Sequence, residues 1–250
     1  MPLLQTADLS VTFGGVRAND QISIAVDHGA LVGLIGPNGA GKTTFIDALT
    51  GFVPSRGTVT LGGREMSGLP AHRRAHAGLG RTWQSLELFD DLTVAENLQV
   101  AAERQSVRGF VADIVHPRRN RDGRAVEDAI GTTGLAHLVD RMPNELSQGE
   151  AKLVGVARAL TARPKIVCMD EPAAGLDTSE SQTLGRTLRH VVDRGVAILL
   201  VDHDMGLVLT VCDYVYVLEF GQVIAEGTPD SIRSDVRVIA AYLGAGVEHG

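Results

Sequence analysis

The residues best equipped for chemistry stand together at Gly36-Pro37-Asn38-Gly39-Ala40-Gly41-Lys42-Thr43, which fits the pattern G-x-x-x-x-G-K-[ST]. Glycines at this spacing let successive backbone N–H groups converge on phosphate oxygens, and a helix opening at the lysine adds the positive end of its dipole. Lys42 supplies a point charge for the β- and γ-phosphates, and Thr43 a hydroxyl for Mg²⁺. The chemistry is capture of a nucleoside triphosphate. A second group lies in Ile166-Val167-Cys168-Met169-Asp170-Glu171-Pro172, which reads as a buried strand running into two carboxylates and stopped by proline. Successive strand residues point to opposite sides, so Asp170 and Glu171 take different roles. Asp170 is expected to support Mg²⁺ through its water shell, and Glu171 to face the attacking water as general base or water-positioner. A third group is Leu146-Ser147-Gln148-Gly149-Glu150. Ser147 and Glu150 fit a capping box ahead of a helix face made by Leu153, Val156, Ala157 and Leu160. With Gly149, that helix start is a second anion-receptive end.

These groups need elements to hold them. Leu31-Val32-Gly33-Leu34-Ile35 is a continuous apolar run, the mark of a strand buried on both faces, and it leads directly into the glycine loop. Behind the loop, Phe45, Ile46 and Leu49 give a helix its core face, with an end near Gly51. Ile166 to Met169 and Ala197 to Val201 are two further buried strands, each preceded by a helical stretch, so the sheet is expected to be largely parallel. Ahead of it, Leu9, Val11 and Phe13, then Ile22, Ile24 and Val26, alternate around Gly14-Gly15 as half-buried antiparallel strands do. Tyr214 to Leu218, Gly221 and Val223 to Ala225 read as a closing hairpin, and residues from about Thr93 to Leu160 as helical. The expected fold is α/β: a phosphate-loop core with a mainly parallel sheet, an N-terminal antiparallel β subdomain and an inserted helical subdomain. Its divisions are residues 1–84, 85–160 and 161–250.

Taken together, these residues resemble the ATP-binding-cassette (ABC) ATPases over nearly the whole chain and in that family's order. Gly36 to Thr44 (Gly36, Pro37, Asn38, Gly39, Ala40, Gly41, Lys42, Thr43, Thr44) resembles the Walker A loop, and Ile166 to Glu171 the Walker B strand. Gln84, in Arg81-Thr82-Trp83-Gln84, is similar to the Q-loop glutamine, a Mg²⁺ and water ligand. Leu146 to Glu150 is similar to the signature motif, although Gln148 and Glu150 depart from its commonest form. Gly175-Leu176-Asp177 resembles the D-loop, and His203 the switch histidine that contacts the γ-phosphate. Phe13 stands where the family places an adenine-stacking aromatic, and it reads equally as a core strand residue. The resemblance implies ATP and Mg²⁺ as cofactors and hydrolysis by Glu171, His203, Gln84 and Lys42. It also implies a head-to-tail pair of cassettes, in which Ser147, Gly149 and Asp177 of one chain complete the loop of the other. A membrane permease partner converts the closing of that pair into transport.

Within the family, Phe13-Gly14-Gly15, Leu92 to Leu98, Pro172 to Leu176, Asp202 to Met205, Ile224 to Pro229 and Ile239 to Gly244 resemble the ATP-binding subunits of bacterial branched-chain amino acid importers. Cassettes for urea or short amides share much of this pattern, and many members of the branch carry asparagine where Asp177 stands. The expected partners are permease subunits, an identical or similar second cassette and, indirectly, a solute-binding protein. A soluble ABC ATPase acting on DNA or ribosomes would carry a long heptad insertion or a tandem second cassette, and 250 residues hold neither. A GTPase or small-molecule kinase would replace the Ser147 and His203 elements. A regulator without turnover is opposed by Glu171.

Composition agrees. A net charge of −7 argues against nucleic-acid binding, which draws on concentrated Lys and Arg. One stretch is basic: Arg104, Arg108, Arg118, Arg119, Arg121 and Arg124 read as a solvated loop or as a contact with membrane headgroups or a membrane-bound partner. No apolar run approaches the roughly 18 residues of a membrane span, and the first residues do not form a secretory signal. The expected location is the cytoplasm, on the inner face of the cell membrane. Cys168 and Cys212 both lie in apolar runs and are expected in buried strands, without a disulfide.

Overall fold

Three five-residue strands form the centre of the molecule, and their apolar content explains their place. β4 (Leu31–Ile35), β8 (Ile166–Asp170) and β9 (Ala197–Val201) are buried at every position in the computed structural model, which describes residues 1–82, 88–102 and 123–244. They belong to a six-stranded sheet ordered β11 (Gln222–Gly227), β10 (Tyr214–Glu219), β4, β9, β8, β7 (Leu79–Arg81). Every neighbouring pair is parallel except β10 with β11. The closing hairpin is therefore present, but only β11 is its antiparallel edge, because β10 pairs in parallel with β4. Alternation divides the side chains between two cores. Val32, Leu34, Ile166, Cys168, Leu199 and Val201 face one side. Leu31, Val167, Met169, Ile198 and Leu200 face the other.

The first side is closed by an antiparallel sheet, β2 (Val16–Ile22), β1 (Leu4–Phe13), β5 (Arg56–Leu61) and β6 (Arg64–Glu65), with β3 (Ala25–Val26) also on β1. Between the two sheets lies α1 (Lys42–Thr50), whose Phe45, Ile46 and Leu49 are fully buried as the sequence spacing requires. Burying each is worth about 1.5–3 kcal/mol. Phe13 does not join this core: β1 is irregular at Leu9, Val11 and Thr12, which breaks the simple alternation, and Phe13 ends the strand half exposed. The second side is covered by α6 (Thr178–Asp193) and α7 (Met205–Val211). At the chain's end, α8 (Pro229–Ser234) and α9 (Val236–Gly244) add Ile232 and Val238 to that core. A third core joins α3 (Val94–Ala102), α4 (Gly123–Thr133) and α5 (Gln148–Thr161) through Leu98, Val126, Ala129 and Val154.

One buried cation secures α1 from behind. Arg74, on α2 (Ala71–Ala77), is buried and donates to the carbonyls of Ala48 (2.9 Å), Leu49 (2.7 Å) and Leu69 (2.9 Å). Two of these are C-terminal carbonyls of α1, which lack partners within their own helix. Both cysteines are free and buried, as expected, but Cys212 is not in a strand. It closes α7 as its C-cap, and Leu207, Val208 and Val211 form the inward side of that short helix rather than a strand. No helix among the described residues is long and apolar enough to cross a membrane.

Candidate functional site

The glycine loop is fixed by close backbone approaches that only glycine permits. A Cβ on Gly36 would lie 2.1 Å from the Leu218 carbonyl oxygen, and one on Gly41 would lie 2.6 Å from the Ala18 carbonyl oxygen. Asn19, fully buried, donates to the Gly41 carbonyl at 3.0 Å and ties β2 to the start of α1. The loop and the first turn of α1, from Asn38 to Thr44, line a cleft of about 560 Å³ together with Val16, Glu171 and Phe220. Lys42 is buried and donates to the carbonyls of Gly36 (2.7 Å) and Pro37 (3.0 Å), using two of its three donors. Burial pushes its ammonium pKa down, and the charges of Glu171, Asp170 and Asp202 oppose that shift. Lys42 is thus a cation that acts on the oxygens of this cleft within the field of three carboxylates.

Asp170 and Glu171 part at the end of their strand. β8 ends at Asp170, and Glu171 lies beyond it in the left-handed region (φ 48°), its N–H donating to the Val201 carbonyl at 2.7 Å. With this left-handed backbone Glu171 lines the cleft, while Asp170 stays buried. Neither carboxylate oxygen of Asp170 has a partner in ordinary hydrogen-bonding geometry. Burial pushes its pKa up, Arg81 and the Thr43 hydroxyl pull it down, and Glu171 and Asp47 add to the rise. A buried carboxylate so sparsely partnered, beside the Thr43 hydroxyl, suits Mg²⁺ with water in its shell. The donor set fits the ion.

His203 stands at the same end of the sheet, its Nδ1 3.6 Å from Glu171 Oε1 and 3.7 Å from Asp202 Oδ1. Asp202 is fully buried and accepts from the N–H groups of Ala173 (3.2 Å) and Asp204 (3.0 Å), so it joins the segment after Glu171 to the one carrying His203. Burial pushes its carboxyl pKa up, and those backbone donors oppose the shift.

Ser147, Gly149 and Asp177 do not line this cleft. Ser147 caps α5 in the expected box, its Oγ accepting from Glu150 N at 3.2 Å while Glu150 accepts from Ser147 N at 2.7 Å. Asp177 caps α6 in a second box with Glu180. The Glu180 carboxylate also accepts from the Gly149 N–H at 3.1 Å, so one side chain links two helix starts. Gln84 and most of the basic stretch from Arg104, as far as Arg121, lie outside the described residues; Arg124 sits on α4.

Sequence reasoning gave no role to Arg81, Asp202 or Glu180. Arg81 is nearly buried: it bonds Asp47 at 2.5 Å, lies 3.6 Å from Asp170 and sits over the Phe52 ring at 5.5 Å. Its strand, Leu79-Gly80-Arg81, is three residues long with one strong apolar position, too short to show a period. Asp202 did carry a signal, since it is the first polar residue after a fully apolar strand and adjoins His203.

Comparison with known proteins adds to this geometry. The family model "ABC transporter" matches residues 19–174, and "Branched-chain amino acid ATP-binding cassette transporter" matches residues 222–248. The chain is 37% identical over 250 residues to the high-affinity branched-chain amino acid transport ATP-binding protein BraF of Pseudomonas aeruginosa, covering 97% of this chain and 98% of that protein. It is 38% identical, with the same coverage, to LivG of Salmonella typhimurium, which carries the same description. It is also 36% identical over 245 residues to the lipopolysaccharide export system ATP-binding protein LptB of Escherichia coli, covering 98% of each. Among solved structures, the ADP conformation of an ATP-binding cassette of an ABC transporter matches with a TM-score of 0.86 and 31% identity, covering 98% of this chain and 99% of that one. The phosphate loop, the two carboxylates and these matches agree: the chain belongs to the ABC transporter family, as an ATPase cassette with the C-terminal segment of the branched-chain amino acid branch.

Proposed function

We propose that this chain hydrolyses ATP to drive import of branched-chain amino acids through partner permeases, acting in a head-to-tail pair with an identical or similar cassette. The observation that carries the hydrolytic reading is Glu171, turned by a left-handed backbone into the cleft that Lys42 underlies. Lys42 holds the β- and γ-phosphates, and the loop amides from Gly39 to Thr44 bind their oxygens. Glu171 accepts the proton of the attacking water as the γ-phosphate transfers to it, giving ADP and phosphate. His203, beside Glu171, contacts the γ-phosphate, and Asp202 orients both. Mg²⁺ would be held by Thr43, by Gln84 and, through water, by Asp170, and would neutralise charge developing on the phosphates. Phe13, half exposed, stands one strand pair from Val16 at the cleft's edge and supports the base.

Ser147, Gly149 and Asp177 act on the partner's nucleotide, which accounts for their distance from this chain's cleft. A permease segment fits the groove of about 880 Å³ lined by Phe52, Ala75, Arg81, Ala101 and Arg158, where the core meets the helical layer. That layer spans residues 85–160, between core segments 1–84 and 161–250. The work is done at the inner face of the membrane, and a solute-binding protein delivers the solute. Branched-chain specificity is supported by the C-terminal family match and by BraF and LivG, whereas LptB is almost as similar.

The test is Glu171→Gln beside Lys42→Ala in the purified chain. Glu171→Gln should abolish steady-state hydrolysis while keeping ATP binding and trapping a closed pair, read by phosphate release and by size exclusion with ATP. Lys42→Ala should lose nucleotide affinity itself. Near-normal turnover by Glu171→Gln would refute the assignment of the base.

A further inference from the structure

The hairpin between β10 and β11 carries an unusual residue. Glu219 pairs with Gln222, leaving a two-residue loop of Phe220 (φ 44°) and Gly221 (φ 78°). Positive φ at both central positions is the type I′ geometry, for which Asn-Gly or Asp-Gly are the ordinary choices and a bulky aromatic is strained. The aromatic gains nothing from the interior in return, since Phe220 is 86% exposed. The loop itself is held firmly. Gly221 N–H donates to the Ala40 carbonyl at 3.0 Å, Asp20 N–H donates to the Gly221 carbonyl at 2.8 Å, and Gln222 Nε2 donates to Asp20 Oδ2 at 2.9 Å. The turn is thus pinned to the phosphate loop on one side and to β2 on the other. Phe220 lines the same cleft as Asn38 to Thr44, and with Val16 it supplies the large apolar surface there. Of the non-glycine residues with positive φ among those described, Glu171 and Phe220 both face this cleft, which is where strain retained for function is expected.

We propose that Phe220 is a nucleobase-contacting residue: its ring packs against the base of the nucleotide whose phosphates the Gly36–Thr43 loop holds. The inference rests on the ATP-binding reading above. A π-face held in solvent by a strained, hydrogen-bonded turn suits a flat heterocycle, which stacks without needing hydrogen-bond partners on the ring. Val16, exposed on β2, widens the apolar contact.

The test uses the full chain and two ligands, ADP and inorganic tripolyphosphate, by calorimetric titration of wild type, Phe220→Asn and Phe220→Trp. Phe220→Asn installs the residue that the turn prefers, so the free protein should melt at a higher temperature. Its ADP affinity should nevertheless fall about tenfold, the scale of one lost base stack. Tripolyphosphate affinity should stay within about twofold of wild type, and Phe220→Trp should restore ADP binding. Unchanged ADP affinity in Phe220→Asn would overturn the proposal, and so would an equal loss for both ligands, which would assign the residue to shaping the phosphate loop. If wild type binds neither ligand, the phosphate-loop reading fails and this proposal with it.

Discussion

Replacing Arg81 with methionine tests how the centre of the site is held together electrostatically. The guanidinium is nearly buried, 3.6 Å from a carboxylate of Asp170 that is itself 2% exposed. At that distance, with an effective dielectric constant of about 20, the attraction is about 4–5 kcal/mol. Removing one member of a buried pair typically costs about 3–5 kcal/mol, because the other charge is left uncompensated. The cost should depend on pH. Burial already raises the Asp170 pKa and Arg81 holds it down, so Arg81→Met raises it further. An acid with a raised native pKa loses stability as pH rises through that value, whereas below the unfolded value, near 3.9, the effect vanishes. The variant should therefore be most destabilised at pH 8 and recover most of the difference by pH 5, leaving the lost contacts with Asp47 and Phe52. Urea unfolding followed by circular dichroism at both pH values measures this, with Asp170→Asn as the second arm of a double-mutant cycle. An equal cost at both pH values, or the same cost in the Asp170→Asn background, would refute the pairing.

Arg74→Met should lower stability by about 3 kcal/mol: the Leu49 and Leu69 carbonyls lose a charged donor at about 1–3 kcal/mol each, partly relieved by water, while Ala48 keeps the Gly51 N–H. A shift below about 1 kcal/mol in urea unfolding would show those carbonyls to be readily hydrated. Neither cysteine should react with iodoacetamide in the native chain at pH 8, because both are buried and burial pushes the Cys168 thiol up to about 12. Rapid modification of the folded chain, read by mass spectrometry, would contradict the packing of β8 for Cys168 or of the end of α7 for Cys212.

Much of this was legible because the strongest signals were local. Leu31 to Ile35, Ile166 to Met169 and Ala197 to Val201 could be read as buried strands since a sheet covered on both faces leaves no polar alternation to confuse. The helix behind the loop and the capping box at Ser147 are contiguous patterns with a fixed spacing. What escaped was decided between segments. Arg81 is an ordinary arginine until β7 joins the edge of β8 and sets it beside Asp170. Glu180 is a helix-start glutamate whose second partner, the Gly149 N–H, lies 31 residues away. Strand periodicity separated Glu171 from Asp170, but the left-handed backbone at Glu171 is something no pattern of apolar spacing encodes. Phe13 sat on the core side of an alternating pattern until an irregularity in β1 released it.

The guanidinium behind α1 bears on what nucleotide capture must accomplish. The helix is nine residues long, about 13 Å, and a helix of that length is marginal on its own. Arg74 stops its far end, and three fully buried side chains pin its flank, so the segment is assembled without a ligand. Its near end can then meet phosphate as a finished surface, and little of the association free energy goes into ordering the chain. What remains is then available to the loops of Glu171 and His203 and, on the proposed reading, to a second cassette: a rigid α1 would let a small anion be felt at a distance.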